Sequence, residues 1–199
     1  MAKRFQTGKL GETTIGGVAS DGTPRHSKID TNTHVIPAME YEHYTIHNGF
    51  HYFYTDKFEL ASAATKEFFL STPEISPVVH MKFIFEGSAI TQFDLYEGPS
   101  RLPTTDSRAT VFNSNRNSTD TAKLTIDTAL VSSTDSDGTL LKTYKGGAAA
   151  QQSRQGESAK SDEEIVLKRD SAYLIRFTSG TNDNLCDMTL LWYELVRES

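Results

Sequence analysis

The sequence predicts an all-β chain, an antiparallel two-sheet sandwich, jelly-roll-like, with an extended N-terminal arm. Three observations carry this reading. From Tyr41 onward, apolar residues recur at every second position in one block after another. Turn signals such as Asn48-Gly49, Glu97-Gly98-Pro99 and Asp137-Gly138 separate the blocks. No stretch keeps helical spacing for more than a turn or two.

Taken in order, residues 1–40 form the arm. "TGKLGETTIGGVASDGTPRHSKIDTNTHVIPA" is rich in Gly, Thr and Ser, and its apolar residues follow no period. Such a segment buries too little surface to offset backbone ordering at ~1–2 kcal/mol per residue. Residues 41–199 form the sandwich. "HYTIH" reads as a strand end, "NG" as a turn and "FHYFYTDKFEL" as the next strand, because Tyr, Phe, Thr and His favour strands. "ASAATKEFFL" fits a helical turn or two and is left open. In "VVHMKFIFEG", Val79, Met81, Phe83 and Phe85 oppose His80, Lys82 and Glu86. In "AITQFDLYEG", Phe93 and Leu95 oppose Gln92 and Asp94. In "AKLTIDTALV", Leu124, Ile126 and Leu130 oppose Thr125 and Asp127. In "AYLIRFTS", Tyr173, Ile175 and Phe177 oppose Arg176 and Thr178. "CDMTLLWYELV" is apolar on both sides, as a central or interface strand would be. Loop insertions interrupt the pattern near 99–121 and 145–163, and the second is low in complexity and expected to be mobile. About eight short antiparallel strands make a sandwich of jelly-roll type.

Composition narrows the function. The 199 residues suffice for one domain with a core. At 37% hydrophobic and 23% charged, the chain has ordinary globular composition. A net charge of -6 gives no reason to expect nucleic-acid binding. No apolar run approaches the ~20 residues of a membrane span, so no membrane partner is expected. The N-terminus lacks the apolar core of a signal peptide. A single cysteine, Cys186, excludes an internal disulfide and reads as a small buried hydrophobe.

His43, His47 and His51 stand four apart, the spacing of a helical metal site. On strands that spacing does not converge, and no H-E-x-x-H or cysteine partner accompanies it. No cofactor or metal is expected. The Asp135-Asp137-Gly138 run lacks the glutamate of a calcium loop at its twelfth position, Tyr144. The Glu163-Glu164 pair has nothing to set two carboxyl pKa values apart, and no catalytic residue is assigned. "VFNSNRNSTD" alternates Asn113, Asn115 and Asn117 around Arg116, a set suited to a polar clamp between loops or subunits. The candidate interaction residues are therefore His47, His51, Asn113, Asn115, Arg116 and Asn117. To these the arm adds Lys3, Arg4, Lys9, Arg25 and Lys28, a basic set on an otherwise acidic chain.

"HNGFHYF" at 47–53, "DLYEG" at 94–98, "NSNRNS" at 113–118, "VLKRDSAYLIRFTS" at 166–179 and "LLWYEL" at 190–195 follow one another in a characteristic order. In that order the chain resembles the small β-sandwich virion structural proteins of tailed bacteriophages, of the capsid decoration or cement type. The match runs from His43 to the C-terminus and leaves the arm outside it. The resemblance implies a non-enzymatic protein that bridges and stabilises capsid subunits, with the major capsid protein as partner. It implies a homo-oligomer, a trimer, located in the virion and assembled in the host cytoplasm. The alternative is a tail- or fibre-associated recognition module with a carbohydrate- or receptor-binding role, using Tyr52, Tyr54 and Tyr144 as stacking platforms. A jelly-roll hydrolase or metal enzyme is the third possibility.

Overall fold

The structure is a computed structural model. It describes residues 41–131, 135–146 and 164–195, and the strand backbone at 4–6, 13–18, 24–27 and 159–160. The chain divides into two compact units, 1–41 and 42–199. Within the first, where an extended arm was expected, the described backbone comprises β1 (Arg4–Gln6), β2 (Thr13–Val18) and β3 (Pro24–Ser27). These pair antiparallel in the order β1-β2-β3, with Arg4 opposite Ile15 and Arg25 opposite Gly17.

The second unit opens with α1 (Tyr41–His47), then β4 (His51–Leu60), β5 (Thr65–Ser71), β6 (Val78–Gly87) and β7 (Thr91–Glu97). Next come β8 (Phe112–Asn113), β9 (Thr125–Asp127), β10 (Thr139–Gly146), β11 (Ala159–Lys160) and β12 (Ile165–Leu167). The last two are β13 (Ala172–Ser179) and β14 (Asn184–Leu195). One sheet runs β11-β6-β14-β4-β8, with β12 also on β6, and the other runs β10-β7-β13-β5-β9. All pairings are antiparallel.

The strand order confirms the fold class and sharpens it. Along the chain, β4, β5, β6 and β7 alternate between sheets, β10 stays beside β7, and β12, β13 and β14 alternate on the way back. The returning half thus interleaves with the outgoing half, as β12-β6-β14-β4 in one sheet and β10-β7-β13-β5 in the other. That is the order of a jelly roll, two Greek keys wound together. The short strands β8 and β9, from the long connection between β7 and β10, extend the two sheets beyond β4 and β5.

The inward faces are the predicted ones. Met81, Phe83 and Phe85 of β6, Phe93 and Leu95 of β7, Tyr173, Ile175 and Phe177 of β13 and Leu190 and Trp192 of β14 are all buried. Phe85 stacks on Phe93 at 3.8 Å between ring centroids, and Phe177 meets Phe58, Phe68 and Phe93 edge-on. Such pairs contribute about 0.5–1.5 kcal/mol each beyond the area they bury.

Three local expectations differ from the structure. "HYTIH" is the helix α1, not a strand end, and Gly49 is its C-terminal cap, not a hairpin turn. Phe50 N–H donates to Thr45 O at 2.9 Å and Gly49 N–H to Ile46 O at 3.0 Å, the two bonds of a Schellman motif. Gly49 takes the left-handed φ of +75° that the motif requires. A seven-residue helix is too short for propensity to decide its existence, and caps and packing decide it instead. "ASAATKEFFL", left open in the sequence, is a turn leading into β5. Asp94 and Asp127, expected to face solvent, are both only 4% exposed. Asp94 accepts from Thr143 and Gln92 of its own sheet, whereas Asp127 lies under Ser107 and Arg108 of the connection that crosses β9. Leu130 lies beyond β9 and forms an isolated bridge with Pro103. Most of the 145–163 insertion falls outside the described residues.

Candidate functional site

The asparagine loop forms the clamp its composition suggested, and it holds the helix cap. Asn113 Nδ2 donates to Gly49 O at 2.8 Å and to Asp120 O at 3.2 Å, while its Oδ1 accepts from Asn115 N–H at 2.8 Å. Asn115 Nδ2 donates to His47 O at 3.0 Å, and its Oδ1 accepts from Asn117 N–H at 3.1 Å. Two asparagines therefore bind carbonyls at the end of α1 while shaping their own loop as Asx turns. Arg116 does not clamp. It is exposed and lies over the Phe112 ring at 5.4 Å. Asn117 is exposed, and its backbone alone takes part.

The three histidines separate into a pair and a single residue. His43 and His47, one turn apart on α1, bring their Nε2 atoms to 2.8 Å. His51, on β4, points elsewhere. Its Nδ1 shares a 2.7 Å hydrogen bond with Ser114 Oγ, and its Nε2 lies 3.6 Å from Glu42 Oε1. A zinc site needs three or four ligands around one point. Among the described residues no group of three His, Cys, Asp or Glu side chains is placed to hold a metal.

Ser114, His51 and Glu42 stand in the order hydroxyl, imidazole, carboxylate that nucleophilic hydrolysis uses. The details turn that order into a structural tie. His51 is only 4% exposed. The other Glu42 oxygen holds Lys82 at 2.5 Å. Ser114 N–H donates to His51 O at 2.9 Å and so does not serve a developing oxyanion. Burial, with the charge of Lys82 adding to it, lowers the His51 pKa below the ordinary imidazole value, against the opposing pull of Glu42. The ring is neutral at pH 7.

The other quoted motifs also converge on internal ties. Glu97 of "LYEG" accepts from Tyr173 OH at 2.9 Å and pairs with Lys168 Nζ, while Tyr173 OH accepts from Lys168 N–H at 2.8 Å. Trp192 Nε1 and the backbone N–H groups of Lys123 and Leu124 all donate to the buried carboxylate of Glu194. Tyr193 OH and His80 Nδ1 meet at Glu164 Oε1, at 2.7 and 2.6 Å. On the outer face of the second sheet, Arg101 holds Glu67 with two bonds of 2.8 and 2.7 Å. Arg176 joins both Glu67 and Asp137 at 2.7 Å. Burial alone would raise the Glu67 carboxyl, but the hydrogen bonds from both arginines outweigh it and hold it below the usual range. Sequence reasoning missed this four-charge network, whose members come from β5, β13 and two loops.

One cavity borders the asparagine clamp, with Asn113 and Asp120 in its lining. It has a volume of about 200 Å³ and lies between Tyr52 of β4 and the 108–126 segment. Tyr52 and Tyr54 are 4% and 8% exposed within the core, so neither offers an exposed stacking face, and Tyr144 is half-buried. This corrects the stacking-platform expectation for Tyr52 and Tyr54. Lys3, Lys9 and Lys28 lie outside the described residues, and Arg4 and Arg25 are placed by backbone alone.

Comparison with known protein families, curated proteins and solved structures finds no match. No helix among the described residues is long and apolar enough to cross a membrane.

Proposed function

We propose that the chain is a non-enzymatic virion structural protein of a tailed bacteriophage, a capsid decoration or cement protein that bridges subunits of the major capsid protein. The observation that carries this reading is the role of the motifs behind the resemblance. Glu97, Asn113, Lys168, Tyr173 and Glu194 are all committed to ties within one jelly roll. Such internal ties support the reading of a structural body, with recognition left to the surface and to residues 1–40. Jelly rolls serve as capsid and lectin domains, so the fold is compatible with this role without dictating it. Residues 1–40 carry five Lys and Arg against four Asp and Glu, before an acidic body; the cations among them suit a carboxylate-lined partner, and weak contacts repeated over a shell add by avidity. The body would assemble as a homo-oligomer, a trimer, in the virion. A tail- or fibre-associated recognition module is the second reading, and the cavity beside Tyr52 is the observation in its favour.

Deletion of residues 2–40 tests the first reading. The truncated protein should keep its melting temperature and oligomeric state and lose co-sedimentation with undecorated capsids. Unchanged capsid occupancy would show that residues 1–40 are not the anchor.

A further inference from the structure

We infer that the cavity between Tyr52 and the 108–126 segment is a binding site for one small, neutral, polyhydroxylated ring, the size of a monosaccharide. Its volume of about 200 Å³ is several times the ~30 Å³ that one water occupies in the liquid. It falls short of the ~300 Å³ at which pockets for drug-sized ligands begin. The apolar wall comes from Val111, Leu124 and Ile126, with Ala109 and Ala122. The polar part of the lining is Tyr52, Arg108, Asn113, Asp120, Thr121 and Thr125, of which Arg108, Asp120 and Thr121 are exposed.

The polar groups decide the ligand class. Tyr52 is 4% exposed as a residue, and its hydroxyl, which makes no hydrogen bond within the described residues, is not enclosed by protein. Thr121 is exposed and Thr125 half-buried, and neither hydroxyl makes a hydrogen bond among the described residues. Asp120 keeps one carboxylate oxygen on Ser118 Oγ at 3.1 Å, leaving Oδ1 to accept a donor. Arg108, the one cation of the lining, already donates through Nε to the buried Asp127 at 3.2 Å and keeps its outer nitrogens as donors. An anion would meet the Asp120 charge with only a compensated arginine to offset it. A metal would find a single carboxylate and no imidazole. A hydrocarbon would leave the hydroxyls unpaired. A sugar ring uses both kinds of lining, its C–H groups on the aliphatic side chains and its hydroxyls on the carboxylate, the guanidinium and the protein hydroxyls. The inference does not depend on whether the protein sits on the capsid or the tail.

The test is a titration of the full-length protein followed by amide chemical shifts. The probes are glucose, galactose, mannose and N-acetylglucosamine, with sodium sulfate and sodium acetate as the anion arms. At least one sugar should give saturable shifts confined to Tyr52 and residues 108–126. Tyr52→Phe and Asp120→Asn should each weaken that midpoint by about tenfold, which corresponds to about 1.4 kcal/mol. If Tyr52→Phe fails to fold, Asp120→Asn, which keeps an acceptor for Ser118, carries the comparison alone. Absence of a saturable shift with all four sugars, sugar shifts indifferent to Asp120→Asn, or sulfate shifting the same amides more strongly would each overturn the assignment.

Discussion

At Asn113, a single 8%-exposed side chain satisfies the carbonyls of Gly49 and Asp120 and accepts from Asn115. Replacing it with Ala leaves two carbonyls without their donor, at about 2 kcal/mol. Urea unfolding of Asn113→Ala should show that loss, and a change under about 0.5 kcal/mol would mean that water replaces the clamp. His51 gives a pH dependence with a defined sign. Its folded pKa lies below 6.5, so the unfolded chain takes up the proton first as pH falls. Stability is then fully present above pH 6.5 and declines below it. His51→Gln should flatten the slope of melting temperature against pH in the window just below 6.5. A slope unchanged by the substitution would assign it to other groups. Glu67 and Asp137 act lower. Their depressed pKa values hold stability that is lost as pH falls below the ordinary carboxylate range.

Among the elements, α1 shows what periodicity reads and what it misses. Alternation identified the inward faces of β6, β7, β13 and β14, because one side of each strand meets the opposite sheet. It misread "HYTIH", because a seven-residue helix carries barely two turns of pattern. Its real signal was a glycine at a left-handed cap position, which in sequence looks like a hairpin turn. Asp94 and Asp127 were misplaced for a related reason, since period two separates the faces of a strand but does not say whether side chains of the neighbouring strands, as at Asp94, or another segment, as at Asp127, cover the outer one. The asparagine loop was legible as a clamp because amides so closely spaced have few other uses. The charge network was not, because Glu67 and Arg176 lie 109 residues apart and neither has a distinctive neighbourhood. Two element-level outcomes follow. Gly49→Ala forces a Cβ into a backbone at φ +75° and to 2.4 Å from Ser118 Oγ, and should cost about 2 kcal/mol while leaving the strands paired. Glu67→Gln leaves Arg101 and Arg176 facing Asp137 alone, both largely buried, and should cost about 3 kcal/mol. Chemical denaturation checks both, and a neutral Glu67→Gln would show the network to be solvent-screened.

Over the whole molecule, the jelly-roll order binds the ends of the second unit together, since β4 pairs with β14 along ten residue positions from His51 to Leu60. Ultraviolet circular dichroism should show a β-type spectrum without the double minimum of a helical protein. In such a body the polar ties fix loops against strands, and β10 ends the second sheet with Leu140 and Leu141 about half exposed. That surface and residues 1–40 are where contacts with other chains are to be sought. The central claim concerns location, so the most direct measurement is a cryo-electron-microscopy reconstruction of intact virions made with this protein and without it. The proposal predicts jelly-roll-sized density on the capsid shell, repeated with the capsid symmetry and lost when the protein is omitted. Density confined to the tail, or no difference between the two virions, would contradict it.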